Sequence, residues 1–245
     1  MDLLFSQTVP VLKQDCNEFG NMKLSALLYD AQEAAGCHCA QLGFDWETMA
    51  AKDLFWAVLR HRITVNQLPK AGQTITVQTW PMPATRVAYP RLVRALDEQG
   101  NILFQVVSLW VLMHTKTRAM VLPGRSGVEV PGILRGDEPE GPGTLVPGSH
   151  ENALLWQVSQ ADLDRNGHVN NAKYLDHAEA LAGDFRQNHS PKEATVCYLA
   201  EVLPEQEITL DWTLSQEGIL TVDGYRAKTD VPQGKERVFA VKLTY

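Results

Sequence analysis

The sequence predicts an α+β fold made of two copies of one unit, each an antiparallel sheet wrapped round a long helix. Three observations carry that expectation. The elements run strand, helix and four strands, twice over. Residues recur at an offset of 146, with Asp30-Ala31-Gln32-Glu33-Ala34 matched by Asp176-His177-Ala178-Glu179-Ala180. Between the copies, seven Gly and five Pro fall within the 26 positions 123–148, a composition that suits a linker and not a regular element. The organisation expected is therefore a first unit over 1–122, a linker over 123–150 and a second unit over 151–245.

Each element has its own signal. Residues 5–12 read as a short strand whose Pro10 suits an edge. Ser25 is placed to cap a helix running to about Leu42, with Leu24, Leu27, Leu28, Ala31, Ala35 and Leu42 at helical spacing. Four β-rich runs follow at 54–68, 73–80, 87–96 and 102–114, separated by Pro- and Gly-containing breaks. In the second copy, 153–159 reads as a strand and 172–187 as a helix capped by Asn171. Strands are then expected over 195–203, 207–214, 219–227 and 237–245. A long helix followed by an antiparallel meander buries its apolar stripe most economically against one face of that sheet.

Composition bounds the function. A 44% hydrophobic and 21% charged chain of 245 residues has a soluble globular balance and enough length for a sizeable core. No apolar run reaches the length of a membrane span, and the start Met1-Asp2-Leu3-Leu4-Phe5-Ser6 lacks the basic and apolar regions of a signal peptide, so a cytoplasmic location is expected and no membrane partner. The net charge of −7, without a basic stripe, argues against nucleic acid. Cys37-His38-Cys39 sits inside one predicted helix, where neighbouring side chains point apart, and no second Cys/His pair follows; buried thiols are expected, with no metal.

The chemistry concentrates in one stretch. Asp162, Asp164, Asn166, His168, Asn170 and Asn171 crowd into ten positions before the second helix, beside the unpaired N–H groups of a helix start. At the 146 offset the helix survives in both copies but the polar set does not: Glu18, Gly20 and Met22 stand opposite Asp164, Asn166 and His168. A capping requirement alone would not separate the copies so sharply, so these three residues are the candidate site. Asp162, Tyr174, His177 and the repeated Asp30 and Glu33 read as scaffold.

The order Asp164-x-Asn166-x-His168-Val169-Asn170-Asn171-x-x-Tyr174 resembles the catalytic motif of the acyl-acyl carrier protein (acyl-ACP) thioesterases, bacterial and plant double-hotdog hydrolases. Phe55-Trp56, Pro69-x-x-Gly72, Thr79-Trp80 and Ser108-x-Trp110 are similar to that family's first half, and Tyr198-Leu199-Ala200-Glu201 to the segment carrying its second acidic residue. The resemblance implies a double-hotdog fold, hydrolysis of fatty acyl-ACP that ends chain elongation, and a catalytic set of Asp164, Asn166, His168 and Glu201. It implies no cofactor. Val202 stands where the plant enzymes have a cysteine, which excludes a nucleophile there. A carboxylate would activate water, and amides near Val169–Asn171 would polarise the thioester carbonyl. The acyl chain is expected in the first unit. The acidic carrier protein would dock on arginines drawn from Arg60, Arg62, Arg86, Arg91, Arg94, Arg118, Arg125 and Arg135. The chain is expected to be a monomeric pseudo-dimer or a homodimer. A hotdog acyl-CoA thioesterase and a non-catalytic acyl-binding protein are the alternatives.

Overall fold

The computed structural model describes residues 2–164, 167–229 and 234–245. They divide into two compact units, Met1–Pro142 and Gly143–Tyr245. The first holds strands β1 (Phe5–Pro10), β2 (Leu54–Val65), β3 (Thr74–Pro81), β4 (Tyr89–Leu96) and β5 (Ile102–His114), with the two-residue β6 (Met120–Val121) paired to β5. Its helices are α1 (Leu24–Gln41), the short α2 (Trp46–Ala50) and the single turn α3 (Pro123–Ser126). The second holds β7 (Asn152–Gln157), α4 (Lys173–Leu181), β8 (Glu193–Tyr198), β9 (Glu207–Leu214), β10 (Ile219–Ala227) and β11 (Lys235–Thr244). Among the described residues no helix is long and apolar enough to cross a membrane.

Within the first unit the antiparallel strand order is β1-β3-β4-β5-β2, and within the second β7-β9-β10-β11-β8. Counting strands inside each unit, both orders are first, third, fourth, fifth, second, so the sequence repeat is also a repeat of topology. The helix in each unit follows the first strand. In α1 the stripe Leu24, Leu27, Leu28, Ala31, Ala34 and Ala35 is buried against β3 and β4, as its spacing requires. In α4 the buried residues are Tyr174, Leu175 and Ala178, facing β11.

Both expected helix caps fail. α1 starts one residue before Ser25, which is buried inside its first turn, and neither Lys23 nor Ala172, the residues that flank the two helices, gives a side-chain cap among the described residues. Asn170 takes the role expected of Asn171. Its Oδ1 accepts from the Ala172 N–H at 2.9 Å and its carbonyl from Lys173 N–H at 2.9 Å, an Asx turn that leads into α4. The helix expected over 172–187 is α helix only to Leu181 and continues as a 3₁₀ segment, Gly183–Gln187.

The Gly/Pro-rich stretch has little regular structure but is fastened at many points. In the first unit Arg62 pairs with Glu140 at 2.8 Å, Arg94 pairs with Asp137 at 2.9 Å, and Ile133 packs on the buried cluster Trp80, Leu92 and Val107. Gly132 lies so close to the Met82 backbone that a Cβ would fall 2.3 Å from it, so only glycine fits. In the second unit Asp223 accepts from Gly148 N–H at 3.0 Å and from His150 Nε2 at 2.8 Å, and Arg237 donates to Leu145 O at 2.7 Å while also holding Asp223. A Gly/Pro chain loses little side-chain entropy when strapped down in this way.

Candidate active site

The candidate site begins where the strand-and-helix repeat breaks. Leu163 and Val169 form an isolated antiparallel bridge, and within it the Asp164 N–H donates to His168 O at 2.8 Å and Gly167 N–H to Asp164 O at 3.1 Å. The turn needs Gly167 in the left-handed region, at φ +78°, which a side chain there would strain. Asp164 Oδ1 lies 3.4 Å from the His168 N–H and braces the turn from inside. Asn166, the third motif residue, lies outside the described residues.

Glu201 arrives from a loop and not from a strand as expected. Strand β8 stops at Tyr198 instead of continuing to Leu203. Leu199 and Ala200 N–H both turn to one carbonyl, Val238 O, at 2.9 and 3.0 Å, which ends the ladder, and Pro204 with Glu205 at φ +65° completes the bend. The loop is nevertheless pinned: Val169 N–H donates to Val202 O at 3.0 Å, and Arg226 donates to Glu201 O at 2.8 Å. These tethers set the Glu201 carboxylate facing the motif histidine, with His168 Nε2 3.6 Å from Glu201 Oε2. Their side chains are 31% and 48% exposed, so the pair is open to a ligand. At 3.6 Å this is an ion-pair separation and not a hydrogen bond.

The start of α4 packs into an aromatic cluster. Tyr174 meets Phe239 with ring centroids 4.6 Å apart and Tyr198 at 5.3 Å, and Trp156 lies on the His177 ring at 4.0 Å. Tyr198 Oη donates to Asn171 O at 2.8 Å and so fixes the approach to α4. Burial, with the nearby Asp164 carboxylate, pushes the Tyr174 hydroxyl well above its ordinary value; burial also raises Tyr198, so both are neutral donors. Burial would raise the Asp162 carboxyl too. The Ser159 N–H at 2.9 Å, the Ser159 hydroxyl at 2.8 Å and His177 at 3.2 Å outweigh that and leave it below its usual value. Asp162 and His177 hold each other and Ser159, and Tyr174 packs among aromatic rings.

The oxyanion donors need revision. Of the amides at Val169–Asn171, that of Val169 goes to Val202 O and that of Asn170 to Asp162 O at 2.8 Å. Among the described residues the Asn171 N–H has no hydrogen-bond acceptor. The docking arginines need revision as well. Arg91 is 5% exposed, with its guanidinium on His38 Nδ1, Thr79 Oγ1 and Cys39 Sγ, while Arg94 is buried over the Trp80 ring. Neither faces a partner. Arg86 and Arg125, by contrast, line an open depression with Thr85 and Leu122. The thiols also differ from expectation: Cys16 and Cys197 are buried, but Cys37 is exposed and Cys39 partly so.

Residues 2–122 match the family model for the acyl-ACP thioesterase N-terminal domain, and residues 148–238 that for the acyl-ACP thioesterase C-terminal domain. A chloroplastic palmitoyl-acyl carrier protein thioesterase of Gossypium hirsutum is 28% identical over 192 residues, covering 71% of this chain and 46% of its own. A chloroplastic dodecanoyl-[acyl-carrier-protein] hydrolase of Cinnamomum camphora is 26% identical over 239 residues, covering 91% and 60%. The chain thus spans about half the length of the relatives it matches. Two solved structures share the fold: an acyl-ACP thioesterase from Bacteroides thetaiotaomicron (TM-score 0.86, 22% identity, 98% of this chain and 97% of that one) and a 12:0-ACP thioesterase from Umbellularia californica (TM-score 0.81, 22% identity, 100% and 97%). The fold is of the hotdog type in each unit.

Proposed function

The chain belongs to the acyl-ACP thioesterase family, and from that premise we propose that it hydrolyses fatty acyl-ACP to free fatty acid and holo-ACP, ending chain elongation. The observation that carries the reading is the Glu201–His168 pair, an exposed carboxylate and imidazole held by a pinned loop and a tight turn inside the matched C-terminal region. Thioester hydrolysis needs a base for water and donors for the oxyanion, and this pair with the Asn171 amide has the chemistry for both. In the proposed mechanism Glu201 takes the proton of a water that His168 and Asn166 orient. The water oxygen bonds to the acyl carbon, the oxyanion collapses, and the C–S bond breaks to release the carrier thiolate, which takes back from Glu201 the proton that came from the water. Asp164 keeps the turn closed so that the imidazole stays in reach. Carboxylate hydrogen bonds in unliganded sites are often long and tighten with substrate, which suits the 3.6 Å separation.

The first unit is proposed to hold the acyl chain and the depression at Arg86 and Arg125 to meet the acidic carrier protein. A cytoplasmic site of action and a monomeric pseudo-dimer or homodimer complete the proposal. Steady-state kinetics on dodecanoyl- and palmitoyl-ACP beside the matching acyl-CoA esters test it. Acyl-ACP is expected to be preferred, with a KM that rises with salt; equal rates on both carriers, independent of salt, would transfer the reading to an acyl-CoA thioesterase. A single turnover in heavy-oxygen water separates the two chemical routes. Label confined to the fatty acid supports direct attack, whereas label in the Glu201 carboxylate requires an acyl-enzyme anhydride.

A further inference from the structure

We infer that Arg226 is a positioning residue for hydrolysis, acting through the backbone of Glu201; the inference rests on the catalytic role proposed for Glu201. Arg226 stands near the end of β10 and divides its guanidinium between two tasks. Nε and one terminal nitrogen hold Glu236 of the paired strand β11, at 2.7 and 2.5 Å. The other terminal nitrogen donates to Glu201 O at 2.8 Å. Lys228 reaches the second oxygen of Glu236 at 2.9 Å, so the carboxylate is gripped from both sides. The guanidinium is planar, so fixing two of its nitrogens on one oxygen of Glu236 aims the third nitrogen at Glu201.

That aim matters because Glu201 lies three residues beyond the end of β8, where no ladder holds it. Its neighbours are fixed: Leu199 and Ala200 by Val238 O, and Val202 by the Val169 N–H. Arg226 holds the carbonyl of the intervening residue itself. Without it, the Glu201 peptide can rotate between two fixed neighbours, and a carboxylate carried on that backbone swings away from His168. A displacement of about 1 Å at a reacting group can cost 10²-fold in rate. The ion pair Arg226–Glu236 is thus placed to convert the register of β10 and β11, Arg226 opposite Glu236, into the position of the loop that carries Glu201.

The test measures kcat and KM on dodecanoyl-ACP for wild type, Arg226→Met, Arg226→Lys, Glu201→Gln and the Arg226→Met/Glu201→Gln double variant, with thermal unfolding of each. Arg226→Met is expected to lower kcat by about 10- to 100-fold while KM changes less than about twofold. Arg226→Lys, which keeps one charged donor, should recover part of kcat. In the Glu201→Gln background the Arg226→Met change should have almost no further effect, because the two act as one unit. Additive losses, or a fall in kcat that only tracks lost folding, would overturn the inference while leaving Glu201 in place. Unchanged kcat in Glu201→Gln would instead remove the catalytic reading on which it rests.

Discussion

At the residue scale, the proposed mechanism separates the motif into side chains that meet the water and side chains that hold the turn. His168→Ala and Asp164→Ala should keep the fold and lose hydrolysis by at least about 10²-fold, since the first removes the imidazole proposed to orient the water and the second the carboxylate that braces the turn carrying it, and neither removes much buried surface; Asn166→Ala is expected to follow them. Turnover of free fatty acid and circular dichroism together check this. Gly224 makes the opposite prediction. A Cβ there would fall 2.0 Å from the ring of Phe239, which is itself wedged against Tyr174 and Trp156. Gly224→Ala should therefore cost about 1–3 kcal/mol by overpacking, read as a lower midpoint in urea. The candidate residues stand out in the sequence because the silent copy at Glu18, Gly20 and Met22 keeps a helix without them. The sequence did not reveal Arg226, whose role depends on a strand register and on one backbone carbonyl, and neither leaves a residue pattern.

At the scale of elements, the long strands and α1 were readable from periodicity, and the errors cluster at ends. Ser25 and Asn171 look like caps because of residue type, yet burial of Ser25 and the Asx turn at Asn170 decide the boundaries. Strand β8 ends early because two successive amides share Val238 O, a tertiary contact that local propensity cannot show. Helix α1 carries a testable burden of its own. Burial, with Asp15 and Glu33 adding repulsion, raises the Asp30 carboxyl to about 6. A carboxyl raised above its unfolded value of 3.8 favours folding fully below that value, and the benefit is lost as pH rises to about 6. At neutral pH Asp30 is thus a liability. Asp30→Asn should stabilise the protein by about 1–3 kcal/mol at pH 7, a rise of a few degrees in Tm, and the gain should vanish near pH 4.

At the scale of the whole molecule, two units with one strand order differ in the polar groups they carry. The second keeps the turn, loop and carboxylate–imidazole pair, whereas the first keeps a buried polar interior in which His61 bonds Ser108 at 2.8 Å and His38 meets Arg91. Burial pushes His61 down to about 3 and lowers His38 as well, so both are neutral in the fold. The sign is opposite to that of Asp30: stability from His61 is complete above its ordinary value of 6.5 and is lost as pH falls toward 3. Between pH 7 and 5 His61 therefore lowers the urea midpoint while Asp30 raises it, and the midpoint should fall less, or rise more, in His61→Gln than in the wild type as pH drops. The repeated order of elements was legible in the sequence, but the strand order and the fastening of the Gly/Pro stretch were not, because both are made of contacts, such as Asp223 to Gly148 and His150, that join distant residues. The claim that the second unit hydrolyses a carrier-bound thioester through Glu201 and His168 is tested most directly by fatty acid release from palmitoyl- and dodecanoyl-ACP under single-turnover conditions, wild type beside Glu201→Gln. The wild type should release free fatty acid, while Glu201→Gln, equally folded, should be slower by at least about 10²-fold. Release at the same rate by both would contradict the assignment.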